Sequence, residues 1–208
     1  MPETKNIEYF REQHKQRLSY MPWLYWSLKP HHLSWARAWQ REWQNHLCEM
    51  ETVHIKGECF IAPEACLFAE PGRPIVIEKG CFIAAHAVLH GPIHLNQHVA
   101  INHHAKLDGG RKGIQIGEYS RLAAYCHLYA FNHGQNLNKP FYQQAVSSEG
   151  IEIGKDVWIG ANVGITDGVC IGDHAIIGMD STVTKNVEAY AKVAGNPARV
   201  IGDRRDSQ

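Results

Sequence analysis

His133 is the side chain in this sequence best suited to moving a proton at neutral pH. It stands in Phe131-Asn132-His133-Gly134, inside a polar stretch that runs from 129 to 150. A neutral imidazole, ionising near 6.5, can accept the proton of an attacking hydroxyl. The same position equally suits a plain solvent-exposed histidine. Lys185 and Arg199 are cations able to meet an anionic ligand. They also suit a solvated corner and a tail ion pair. Asn102 and Asp108 sit where turn preference alone accounts for them.

Other chemistries find little support. The chain has fourteen histidines, but a metal site needs three converging ligands at suitable spacing, and no metal is expected. Six cysteines occur without a C-x-x-C pair, which fits a reducing cytoplasm better than a disulfide scaffold. No Cys or Ser lies in a nucleophile motif, so no covalent acyl-enzyme is expected. Neither a Walker A loop nor a Rossmann glycine motif is present.

The elements that must position these groups repeat every sixth residue. Ile77, Ile83, Leu89, Leu95, Ile101 and Leu107 form one run, and Ile153, Ile159, Ile165, Ile171, Ile177 and Val183 another. Four residues after most anchors stands a small or β-branched residue, such as Cys59, Cys81, Ala87, Cys126 or Val163. Neither a helix nor a plain strand has this period. It predicts a mainly β solenoid of about six triangular coils, each too small to bury its apolar face alone. Three hexads make a coil of eighteen residues, so Ile83 stacks under Ile101, and His86 under His104. Phase breaks fall at 70–74, at 108–113 and, largest, after Leu128. The segment 129–150 is therefore an extruded loop on a rigid scaffold, where function tends to sit.

The domain expected is 53–202, followed by a tail at 203–208. The hexad is absent from 1–52, which carries Trp23, Trp26, Trp35, Trp39 and Trp43. The last three recur every four residues and predict a helix over about 34–50, capped by Ser34. Pro22, Pro30 and His31-His32 suggest two or three short helices in this segment. Its tryptophan stripe is expected to pack on the solenoid or on a neighbouring subunit. Lys plus Arg equals Asp plus Glu, giving a formal net charge of zero. No global field then favours nucleic acid or an anionic membrane. The polar N-terminus suggests no secretion signal, and nothing suggests a bilayer span.

The hexad anchors, the string IEIGKDVWIGANVGITDGVCIGDHAIIGMDSTVTKNV (151–187) and VAGNPARVIG (193–202) resemble the hexapeptide-repeat acyltransferases. Within that superfamily the chain is most similar to the galactoside, maltose, nodulation-factor and colanic-acid type sugar O-acetyltransferases. The resemblance covers roughly 53–202. It implies a left-handed parallel β-helix, a homotrimer with sites between subunits, and acetyl-CoA as donor. Asn132-His133 matches the family's catalytic base, and Asn102, with Asp108 as a weaker candidate, the acceptor contacts. Trp158, Gly160 and Ala161 match the segment beside the thioester and pantetheine. Ala161 is often Ser in relatives, so here a backbone N–H would hold the oxyanion. Met179 stands one coil above, where relatives present a small residue. Thr184 and Lys185 match the pair near the CoA phosphates, and Arg199 lies toward the adenine end.

The activity implied is acetyl transfer to a hydroxyl of a sugar or polysaccharide precursor. The alternatives are N-acetylation of a nucleotide-linked amino sugar, or O-acetylation of serine or an antibiotic. Outside the transferases stand a scaffold solenoid and a γ-type carbonic anhydrase, whose zinc-histidine spacing is not reproduced.

Overall fold

The computed structural model of the protein describes residues 7–207. Residues 1–6 of the N-terminal segment and 208 of the tail lie outside the described residues.

From Val53 the chain winds into a parallel β-solenoid with three faces. The first face holds Val53–Lys56, Ile75–Glu78, Ile93–Leu95, Ile114–Ile116, Ile151–Ile153 and Cys170–Ile171, in that order. The second runs from Phe60–Ile61 through Phe82–Ile83, Ala100–Ile101, Arg121–Leu122, Trp158–Ile159 and Ile176–Ile177 to Ala191–Ala194. The third runs from Cys66–Phe68 through Val88–His90, Lys106–Asp108, His127–Tyr129 and Gly164–Ile165 to Thr182–Val183. The register is the one the hexads predict: Ile83 pairs with Ile101, and Ile159 with Ile177.

Anchors and small slots point inward and form one continuous core along the axis. Cys59, Cys81 and Cys126 are buried in it, and their thiols donate to the carbonyls of Glu78, Asn96 and Gly160. Burial pushes the Cys126 thiol up to about 11, so it is an inert core group. Coil corners need left-handed backbone, and bulky side chains occupy it at His98, His104, Tyr119, Tyr125, His174 and Tyr190. Such conformations cost a non-glycine residue energy. Ring stacking between successive coils offsets it: His98 on Tyr119 at 5.2 Å, His104 on Tyr125 at 4.8 Å, His174 on Tyr190 at 4.9 Å. His86 stacks on His104, as their eighteen-residue spacing predicts.

The N-terminal segment differs from its sequence expectation. It forms two long helices, α1 (Ile7–Tyr20) and α2 (Pro30–Met50), joined by a 3-10 turn at Pro22–Ser27. Pro30 opens α2 rather than interrupting it, because the first helical position needs no N–H. Ser34 lies inside that helix, its hydroxyl bonded back to the His31 carbonyl at 3.2 Å, and caps nothing. Trp35 and Trp39 pack with Leu18, Tyr25 and Ala36 over Phe60, Phe82 and Ala100 on the outer second face. The helices thus cover the first three coils of that face. Further along the same row Trp158 emerges, 46 % exposed. At the C-terminal end of the solenoid Arg199–Asp203 folds back antiparallel on Ala191–Ala194.

α2 also closes the solenoid's open edge. Phe60 and Ala62 donate upward to Cys81 and Ile83, which leaves Ile61 facing the helix. The buried Gln40 side chain accepts from the Ile61 N–H at 2.8 Å and donates to its carbonyl at 3.1 Å. A side chain here completes the edge that a further strand would otherwise pair with. Gln40→Leu should strand both backbone groups and lower stability by roughly 2–4 kcal/mol. Gln44→Ala, which loses the amide's bonds to the Cys59 carbonyl and the Gln40 side-chain oxygen but leaves Ile61 satisfied, should cost less, about 1 kcal/mol. Urea unfolding of the two variants checks the difference.

Candidate active site

After Tyr129 the chain leaves the third face as a hairpin arm. Asn132–His133 pairs antiparallel with Val146–Ser147, His133 opposite Val146. The His133 ring is exposed, set edge-to-face against Phe131 at 5.9 Å. The arm's root is clamped to the coil below. Ala130 N–H donates to the Asp108 carbonyl at 2.8 Å. The Ser148 hydroxyl donates to the Ala130 carbonyl at 2.6 Å and accepts from the Arg111 and Lys112 amides at 3.0 Å each. Gly110, at φ +55, lies so close to the Ala130 carbonyl that a Cβ would collide with it. The phase break at 108–113 is therefore the seat of the arm. At the tip, Gln144 accepts from the Asn136 amide and donates to the Lys139 carbonyl, both at 2.7 Å. Leu137, Phe141 and Tyr142 stand out into solvent around it.

The candidate residues divide between two edges of the third face. Asp108, His133, Thr184 and Lys185 follow the ends of its strands, and Thr184 and Lys185 are exposed. Asn102, Gly160, Ala161 and Met179 lie at the corner that precedes those strands. The Asn102 amide donates to the Leu122 carbonyl at 2.7 Å. Gly160 is buried, and a Cβ there would lie 2.6 Å from the Met179 nitrogen. Ala161 is half-buried and its carbonyl accepts from the Asp180 amide at 2.9 Å. Met179 is exposed one coil above. Arg199 stands apart on the terminal hairpin, exposed, bonded to the neighbouring Ala198 carbonyl. These candidate residues thus fall into two groups separated by the width of a face.

Sequence reasoning missed one cluster. Asp108 is not a lone polar corner: its Oδ1 meets Arg73 Nη2 at 3.3 Å and accepts from the Gly110 amide at 2.9 Å. Its Oδ2 lies 3.1 Å from His90 Nδ1, whose Nε2 lies 2.9 Å from Glu70. Partial burial opposes protonation of His90, but hydrogen bonds to Glu70 and Asp108 outweigh it and raise its pKa. His90 in turn holds Glu70 below the usual carboxylate value. The signal was available, because His90 and Asp108 are eighteen residues apart. Elsewhere, His103 is lowered by burial and by His104 and His86. Among the described residues no group of three His, Cys, Asp or Glu converges as a metal site would require.

The bacterial transferase hexapeptide family (six repeats) matches residues 150–185, within the later coils of the solenoid. Over that stretch the chain is similar to the bacterial transferase hexapeptide proteins. The chain is similar to a probable macrolide acetyltransferase of Lysinibacillus sphaericus, 47 % identical over 98 residues, 46 % of this chain and 54 % of that protein. The galactoside O-acetyltransferase of Escherichia coli is 48 % identical over 56 residues, 27 % of this chain and 28 % of that protein. The chain therefore spans about a quarter to half the length of the curated relatives it matches. AntD, an N-acyltransferase from Bacillus cereus in complex with dTDP and 3-hydroxybutyryl-CoA, superposes with a TM-score of 0.69. It is 23 % identical, over 79 % of this chain and 89 % of that one, a likeness of fold.

Two outcomes follow from the arm and its neighbouring cluster. Ser148→Ala should unclamp the root, leaving the Arg111 and Lys112 amides without their acceptor. Hydrogen exchange should then quicken at those amides and at Ala130 while the coils stay protected, and unchanged exchange would refute the clamp. His90 has a raised pKa in the folded state, so its stabilisation is complete below the ordinary imidazole value and lost as pH rises through the raised one. The melting-temperature gap between wild type and His90→Asn should therefore shrink from about pH 6 to about pH 9.

Proposed function

We propose that this protein transfers an acetyl group from acetyl-CoA to a hydroxyl of a sugar or polysaccharide precursor. The observation that carries this reading is the arm: an exposed imidazole held beside the third face by a clamped hairpin, on a superfamily scaffold. His133 takes the proton of the acceptor hydroxyl as it attacks the thioester carbonyl. Gly160 and Asn162 spend their N–H groups on bonds to Ile177 and Ala124. The Ala161 N–H between them is the donor we assign to the oxyanion, since no hydroxyl is available there. His133 then gives its proton to the departing thiolate, with no covalent intermediate.

The separation of the two groups supports a homotrimer. The edge with His133, Asp108, Thr184 and Lys185 would face the neighbour's corner with Asn102, Ala161 and Met179. Asn102 and Asp108 would then approach the acceptor. The long donor would lie in the cleft between them, past Trp158 and Gly160. Lys185 and Thr184 would meet its phosphates, with Arg199 toward its adenine end. All six cysteines are free thiols, which fits a reducing cytoplasm.

His133→Ala should lower turnover roughly a hundredfold to ten-thousandfold, read as thiol release, while calorimetry finds coenzyme A binding unchanged. Turnover at the wild-type rate would remove the mechanism. Matched amino and hydroxy acceptors separate this reading from N-acetylation, in which a neutral amine needs less help from a base.

A further inference from the structure

On the outer surface of the third face, four side chains stand in one column on successive coils. Phe68 pairs in register with His90, His90 with Asp108, and Asp108 with Tyr129. Coils repeat about every 4.8 Å, so the two aromatic residues stand roughly 14 Å apart. Between and beside them opens a cavity of about 360 Å³, lined also by Glu51, Glu70 and Lys106. The rings at its ends are exposed, Phe68 at 49 % and Tyr129 at 43 %. The floor is the hydrogen-bonded Glu70–His90–Asp108 string, backed by Arg73. The cavity adjoins the arm: His133 follows Tyr129 by four residues, at most about 13 Å of extended chain.

We propose that this cavity binds the acceptor, and that the acceptor is an uncharged glycan of at least two sugar residues. The inference rests on the acetyl-transfer reading above and specifies its substrate. Two exposed rings with a polar strip between them match a chain of pyranoses, which present apolar C–H faces and hydroxyl edges. Ionised carboxylates only accept hydrogen bonds, and beyond the Ala69 amide on Glu51 and the His90 ring on Glu70 their remaining lone pairs take donors, which sugar hydroxyls supply. An apolar occupant would strip water from these groups and return nothing. Charge decides against ionic acceptors. Three carboxylates (Glu51, Glu70, Asp108) stand among two cations (Arg73, Lys106) and His90, whose pKa Glu70 and Asp108 raise. Such a mixed field selects neither an ammonium group nor a diphosphate. Arg73 is moreover already committed to Asp108 and Glu70, so no second guanidinium offers the bidentate grip a diphosphate favours.

The test uses the full chain with lactose, maltose and cellobiose as neutral disaccharides, methyl galactoside as the single residue, and glucosamine and dTDP as charged probes. Ligand-observed NMR should show binding of at least one disaccharide more tightly than methyl galactoside, and none of glucosamine or dTDP. Phe68→Ala should weaken that binding roughly tenfold and raise the KM for acetyl transfer with little change in kcat. The conservative Glu70→Gln, at an exposed position, should act in the same direction and guards against misfolding of the first variant. Tighter binding of glucosamine or dTDP, absence of disaccharide binding, or insensitivity to both substitutions would overturn the proposal. If disaccharide binding depends on Phe68 but no thioester is consumed, the acetyl-transfer reading fails and the cavity stands. If His133-dependent transfer persists while Phe68 and Glu70 are irrelevant, the cavity assignment alone fails.

Discussion

Everything in this molecule depends on the stacking of one buried aliphatic side chain on the next, coil after coil, along the solenoid axis. Each coil by itself exposes the faces of its anchors. Only the coil above and the coil below remove that surface from water. The parallel ladders then fix residues one coil apart directly over each other, as Ile83 lies over Ile101. This one constraint sets the geometry of every outward column as well. It brings Phe68, His90, Asp108 and Tyr129 into line, and it stacks the corner rings that make left-handed backbone tolerable.

A stack has two ends and three outer faces, and the rest of the chain deals with them. α2 meets the first open edge with the Gln40 amide, which satisfies both polar groups of Ile61. The aromatic residues of the N-terminal segment cover the second face of the first three coils. At the far end the chain turns back on Ala191–Ala194, and Arg204 is tied to Asp156 at 3.0 Å. These are the means by which a repeat protein with exposed strand edges avoids pairing with other chains.

Against this rigid frame the two insertions near the third face work as one device. The turn at 108–113 supplies the seat, the arm supplies the imidazole, and Ser148 joins them. Such a support restricts the loop histidine, which without second contacts would sample many positions. The charged string of Glu70, His90 and Asp108 beside the seat ties that region together in the same way.

The period of six alone determined the solenoid, its coil size, the inward cysteines and the places where the chain leaves the coil, because a stacked coil tolerates little departure from its repeat. It also determined which residues share a column, and so which histidines stack. The tertiary structure decided what periodicity does not constrain. Pro30 opens a helix instead of breaking one, since that choice depends on what the helix packs against. The extruded loop is a clamped hairpin because Ser148 meets amides more than thirty residues earlier in the chain. Asn102 and His133 lie on opposite edges of a face, for the hexads give each residue its column but not the distance between columns. Asp108 shares a column with His90, eighteen residues earlier, but only folding brings Arg73 onto Asp108 and Glu70 onto His90.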